Sequence, residues 1–138
     1  MIINISMISI AIMMMTNACA PRTDNLETVL RERLVRYYAE DDKAARAMNG
    51  EALRLGITFA DLDGDGTPEA IVRLEHPAFC GSRGCAIDVI DFHVNGVVAL
   101  LRFIAHEVSA CARTRTENLC ISVDGSDWPI PDGRFRPK

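Results

Sequence analysis

The order of hydrophobic and polar residues divides the chain into a helical first part and a strand-rich second part. Asp24 and Glu27 form a capping-box pair at the start of the predicted helix. Apolar residues then recur at helical spacing, at Leu26, Val29, Leu30, Leu34, Tyr37 and Tyr38. The acidic run 40–42 either ends this helix or restarts it with Asp41 as a cap, and Asn49-Gly50 is a typical stop signal.

From Leu53 onward the period becomes that of a β-strand, with apolar and polar residues alternating. Strands are predicted over 53–60, 70–75, 86–94, 97–108 (long, and bulged or broken) and 119–123, with a short edge strand at 134–136. Asn95-Gly96 is a strong hairpin signal. The order predicts an α+β domain in which an N-terminal helix, or two, packs on one face of an antiparallel meander of about five strands. Charged residues are expected on the other, solvated face.

Composition narrows the class of protein without naming a function. The chain has 138 residues, which suits one domain, and 49% of them are hydrophobic. Its formal net charge of −4 argues against a nucleic-acid binder, because phosphate contacts need clustered Lys and Arg. An aromatic content of only 6% likewise disfavours base-stacking surfaces.

The first residues indicate export. Met1 to Met15 carry no charged side chain, and this apolar run is too short to span a bilayer. We interpret 1–18 as a lipoprotein-type signal peptide, cleaved before Cys19, whose sulfur takes the lipid. Ordinary cleavage after Ala20 is the alternative, and a buried N-terminal helix or a misassigned start is another. Residues 19–24 would be a tether, and 25–138 a single domain.

The cysteine count agrees with export. Lipidation of Cys19 leaves four of the five cysteines. The pairing that closes the shortest loops joins Cys80 to Cys85 and Cys111 to Cys120, and such bridges persist in oxidising compartments such as the periplasm. Zinc binding by Cys80 and Cys85 with His76 and His93 is the alternative for a cytosolic protein. A redox pair is disfavoured, because the spacing is not Cys-x-x-Cys and a strand follows.

The stretch from Asp61 to Glu69 carries the clearest chemistry. Ca²⁺ takes about six to eight oxygen ligands, and a tight Gly-bent loop supplies many from few residues. The predicted ligands are the side chains of Asp61, Asp63 and Asp65, the Thr67 carbonyl, and Glu69 directly or through water. Gly64 and Gly66 allow the positive φ that such a curl requires. The loop is not an EF-hand, because Val72 stands where the closing Glu should be; a bare Asp/Gly turn is the alternative.

The segment 57–94 resembles a known pattern. The loop resembles the calcium loops of FG-GAP and VCBS-type repeats, in which a D-x-D-G-D-G segment joins two strands. With the Cys80-Gly81-Ser82-Arg83-Gly84-Cys85 hairpin that follows, it resembles a group of small, uncharacterised bacterial periplasmic proteins and lipoproteins. The resemblance implies a metal role for Asp61, Asp63, Asp65 and Glu69 and implies no catalytic residue.

Two main functions are compatible with these features. The first is a non-catalytic binding or inhibitor module, anchored in the inner or outer membrane and facing the periplasm, with an envelope protein or cell-wall component as its partner. It should expose an apolar or aromatic patch, with Trp128, Phe135 and Tyr37 as candidates. The alternative is a periplasmic hydrolase that uses a His/Asp face of the sheet, formed by His76, His93, His106, Glu75, Asp88 and Asp91. A third is a calcium-responsive switch.

Overall fold

The computed structural model describes residues 23–111 and 120–129. The predicted signal peptide 1–18, the lipidation site Cys19, Phe135 and the short edge strand at 134–136 lie outside these ranges. Within them, no helix combines the length and the apolar character that crossing a bilayer requires.

Two helices come first in the described part of the chain, and the sequence predicts one or two there. Helix α1 spans Thr23–Tyr37, and α2 spans Ala39–Asn49. The last two residues of the predicted tether 19–24 therefore belong to α1. The N-cap residue of α2 is Tyr38 and not the predicted Asp41, and its side chain makes no capping hydrogen bond. Gly50 ends α2 in the left-handed conformation at φ 82°, and its amide donates to the carbonyl of Arg46.

The strands that follow form an antiparallel sheet of five. They are β1 Arg54–Ala60, β2 Glu69–Glu75, β3 Cys80–Gly81, β4 Gly84–His93 and β5 Gly96–Ala105. Strand β4 lies at the centre: β2 and the two-residue β3 pair along one of its edges, and β5 pairs along the other. Strand β1 pairs with β2 at the far edge. A β-bulge between Val89 and Ile90 interrupts the β4–β5 ladder.

A second, smaller sheet contains β6 Val108–Ala110, β7 Cys120–Val123 and β8 Ser126–Pro129. The predicted long strand over 97–108 is therefore broken into β5 and β6. The break has a visible cause, since the amides of His106 and Glu107 both donate to Oδ1 of Asp124, at 2.9 and 2.8 Å. These two amides are bonded to a side chain from a distant part of the sequence and not to a neighbouring strand.

The central strands of the five-stranded sheet, β2 and β4, are covered on both faces. Leu34 and Tyr38 of the helical layer pack on Val72, Leu74 and Ile90. On the opposite face the small sheet contributes to a second core, whose buried members are Leu62, Ile71, Ile87, Val89, Ala105 and Ile121. The expectation of a charged, solvated outer face is therefore wrong. The α+β architecture with helices on an antiparallel meander is as the sequence predicts.

Two disulfides join the cysteine pairs that the sequence predicts. Cys80 and Cys85 face each other across β3 and β4, and Cys111 is bonded to Cys120. Both cysteines of the first pair are therefore used by the bridge, so the alternative zinc site with His76 and His93 does not form.

The tip of the first bridged hairpin requires glycine at one of its two glycine positions. Gly84 has φ 106°, and a Cβ built there would lie 2.1 Å from the carbonyl oxygen of Ala105. A Cβ on Gly81 would meet nothing within 4 Å, and this residue has no positive φ. The close approach of β5 to the hairpin therefore explains the second glycine of the Cys-Gly-x-x-Gly-Cys motif and not the first.

We expect Gly84→Ala to lower the free energy of unfolding by about 2 kcal/mol or more, since it combines a left-handed backbone with a clash against main chain. Gly81→Ala is the matched control and should change it by less than about 0.5 kcal/mol. Urea unfolding followed by circular dichroism measures both. Equal effects of the two substitutions would show that the approach of β5 to Gly84 is not rigid.

Candidate functional site

The acidic loop 61–68 connects β1 to β2 and gathers three carboxylates. Asp61, Asp63 and Asp65 each present one oxygen, and the three oxygens lie within 4.8 Å of one another. At a calcium–oxygen distance of about 2.3–2.6 Å, two oxygens bound to the same ion are at most about 5 Å apart. The three oxygens are therefore close enough to contact a single cation.

The loop holds this shape through its own amides. Asp61 accepts hydrogen bonds from the amides of Gly64 (2.7 Å) and Gly66 (3.1 Å). Asp63 accepts from the amide of Asp65 (3.0 Å), and Asp65 accepts from that of Thr67 (2.7 Å). Gly64 and Gly66 have φ of 75° and 89°, which confirms the prediction of positive φ at both positions. Each carboxylate keeps lone pairs that a cation could use.

Glu69 lies beneath the loop and outside the cluster of three. It is 1% exposed, and its Oε2 accepts a hydrogen bond from the amide of Leu62 at 2.6 Å. The side chain of Leu62 is itself buried in the second core, so the loop is fixed at its base by a backbone contact and an apolar anchor. This position suits the water-mediated role predicted for Glu69 better than direct ligation.

The electrostatics of the loop follow from burial and like charge. The pKa of Glu69 is raised to about 7, chiefly by burial and in smaller part by the charges of Asp63, Asp65 and Asp91, while the hydrogen bond from Leu62 opposes the shift. Burial also raises the pKa of Asp63, with contributions from Asp65 and Asp61. Negative charge is therefore costly at this site in the absence of a cation, and a divalent ion would relieve that cost.

The histidines of the predicted His/Asp face do not share a pocket. Arg73 pairs with Ile87 and Ala70 with Ile90, so His76 at the end of β2 lies near the start of β4. His93 is the last residue of β4, and nearly the whole strand separates the two histidines. His106 follows β5 at the same end as His76, on the opposite side of β4.

Each of these histidines has its own local surroundings. His76 is 3% exposed; its Nδ1 accepts the amide of Ala78, and its Nε2 lies 2.9 Å from Oδ1 of Asn49. An accepting Nδ1 leaves Nε2 to donate to Asn49, so both ring nitrogens are used by contacts inside the fold. His93 pairs with Asp91, with Nε2 and Oδ2 3.1 Å apart at the exposed end of β4.

Asp88, predicted on the polar face, lies fully inside the core on the helix side of the sheet. Its carboxylate accepts the Tyr38 hydroxyl at 2.7 Å and the Arg102 guanidinium at 2.5 and 2.7 Å. Burial raises the pKa of Tyr38, and the hydrogen bond to Asp88 adds to it; the same carboxylate raises the pKa of Arg102. Sequence reasoning missed Tyr38 and Arg102 as partners. The strand register that places Asp88 opposite Arg102 could have revealed the second, while the first depends on how the helices pack on the sheet.

Comparisons with protein-family models, with curated proteins and with solved structures gave no match to this chain.

We expect Tyr38→Phe to lower the free energy of unfolding by about 1.5–3 kcal/mol, because it removes a buried hydrogen bond to a charged carboxylate. Tyr37→Phe is the matched control: the neighbouring ring is 42% exposed, and its change should stay within about 0.5 kcal/mol. Chemical denaturation of both variants measures the difference. Similar losses for the two would mean that the hydroxyl of Tyr38 contributes nothing beyond ring packing.

Proposed function

We propose that this protein is an exported, lipid-anchored, non-catalytic envelope protein that binds a periplasm-facing partner protein, with a structural Ca²⁺ in the loop 61–68. The apolar leader and the odd Cys19 support the export and the anchor, in the inner or outer membrane. The observation that carries the binding role is that, among the described residues, no strand pairs with the edge of β5 that faces away from β4.

Strand β5 has the features of a site for an added strand. It is 10 residues long, and within the described part of the chain it pairs only with β4. Three apolar side chains of this strand, Val98, Leu101 and Ile104, are 38%, 41% and 54% exposed. Proteins commonly guard such edges with charged side chains. The one charged residue of β5, Arg102, is engaged by Asp88 on the neighbouring strand.

The occupant we infer is an extended segment of a partner protein that adds to the sheet by main-chain hydrogen bonds. The opposite edge strand, β1, has no exposed large apolar side chain among the described residues. A second copy of this chain is disfavoured, since two molecules with a net charge of −4 repel. Tyr37 and Trp128, the two predicted aromatic candidates within the described ranges, are 42% and 57% exposed.

The calcium role is supported by the spacing of the three carboxylates and by the nearly complete burial of Glu69. The predicted ligands are the side chains of Asp61, Asp63 and Asp65, the Thr67 carbonyl, and Glu69 directly or through water, and the burial of Glu69 favours the route through water. When bound, the ion would neutralise the repulsion within the loop and hold β1 to β2. The loop is remote from the centre of β5 in the sheet order, so the ion acts on stability and not on the binding edge.

For the metal, we expect Ca²⁺ at a hundredfold excess over its Kd to stabilise the wild type by about 2.7 kcal/mol, which raises Tm by roughly 10 °C relative to EDTA. Asp63→Ala should lose most of this shift. Glu32→Ala removes one carboxylate from an exposed position on α1 and should retain it. Thermal melts with EDTA and with Ca²⁺ measure all three proteins. The same midpoint for the wild type in both buffers would exclude the ion.

For the binding edge, we expect Leu101→Lys to reduce partner capture from envelope extracts at least about tenfold, because it places a charge on the pairing edge. Met48→Lys, at a 60% exposed position on α2, is the control and should capture normally. Hydrogen exchange of the complex with the captured partner must slow at the β5 amides. Protection elsewhere alone, or self-association of the purified protein through β5, would contradict the proposal.

A further inference from the structure

Beyond the binding role, the Cys80–Cys85 bridge lies in a setting suited to chemistry. It borders a surface cleft of about 760 Å³ whose lining includes both cysteines, Arg73 and Glu75. The volume is within the range of small-molecule sites. The bridge therefore borders open space large enough to hold a thiol of low molecular weight.

The two sulfurs of the bridge differ in their surroundings. Cys85 is 6% exposed, and Nη2 of Arg73 lies 3.6 Å from its Sγ. Arg73 is fixed in place by a second hydrogen bond, from Nη1 to the carbonyl of His106 at 2.8 Å. Cys80 is half-buried, and its Sγ lies 3.3 Å from the carbonyl oxygen of Leu74. The guanidinium favours negative charge on Cys85, while the carbonyl oxygen disfavours it on Cys80.

The second bridge has the opposite electrostatic environment. A carboxylate oxygen of Asp127 lies within 4.8 Å of the sulfurs of Cys111 and Cys120. A nearby carboxylate disfavours a thiolate and so slows its departure from a disulfide. The two bridges of one molecule therefore provide an internal comparison between a cationic and an anionic neighbour.

The spacing and the strand that follows disfavour a redox pair, but Arg73 beside Cys85 supplies the positive charge that a helix N-terminus provides in Cys-x-x-Cys sites. We therefore propose that Cys80–Cys85 is a redox-active disulfide that exchanges with low-molecular-weight thiols. The thiolate of the external thiol attacks Sγ of Cys80, the Cys80–Cys85 bond breaks, and Cys85 leaves as a thiolate beside Arg73. A second external thiolate attacks the sulfur of the first external thiol in the mixed disulfide. Cys80 then leaves as a thiolate and takes a proton to become a thiol. Two external thiols are thus oxidised to one disulfide as the bridge receives two electrons. Arg73 is a positioning residue that stabilises the leaving sulfur.

The first test uses the wild-type protein and glutathione. After acid quenching and alkylation, peptide mass spectrometry should find glutathione on Cys80, and Cys80–Cys85 should open before Cys111–Cys120. Glutathione mainly on Cys85, or simultaneous reduction of the two bridges, would overturn the proposal.

The second test measures the rate of reduction by dithiothreitol in three variants. Arg73→Gln should slow the opening of Cys80–Cys85 about three- to tenfold, since the leaving thiolate loses its cation. Arg73→Lys retains the charge and should stay within about twofold of the wild type. Arg54→Gln removes a different cation that lines the same cleft and should have no effect. Equal rates for Arg73→Gln and the wild type, or equal slowing by Arg54→Gln, would refute the assigned role.

Discussion

The burial of the Asp88 carboxylate is the constraint on which the helical layer depends. An isolated carboxylate in a protein core is costly, so it must be paired and hydrogen-bonded. Here the partners come from both sides, with Tyr38 from the junction of the two helices and Arg102 from the adjacent strand. The Asp88 carboxylate therefore fixes the junction between α1 and α2 over the centre of the sheet. Apolar packing alone would allow that junction more freedom to slide.

Local signals in the sequence were sufficient for the elements and for most of their order. Alternation of apolar and polar residues located β1, β2 and β4 to within a few residues, and Gly50 ended α2 as expected. Local patterns do not predict that the strands divide into two sheets. This division depends on Asp124, which bonds to amides 17 and 18 residues earlier in the chain. No periodicity within a strand encodes a side-chain contact of that range.

The candidate sites show the same contrast: groups of residues close in sequence are predictable, and groups brought together by strand order are not. The three carboxylates of the loop are close in sequence, so their convergence followed from spacing and from two glycines. The histidines were assigned to one face because each lies on or next to a strand. Which end of the sheet each one reaches depends on strand order and register. For the same reason Asp88 was assigned to the surface: strand β4 is covered on both faces, so alternation no longer distinguishes inside from outside.

The short span of the two disulfides has a consequence for how the chain acquires its fold. The bonded cysteines are 5 and 9 residues apart in sequence, so neither bridge links distant parts of the chain. Closing such small rings removes little entropy from the unfolded ensemble. The large sheet is also built from neighbours in sequence, which favours rapid formation. The reduced polypeptide can therefore reach its topology first, and oxidation then fastens hairpins that already exist.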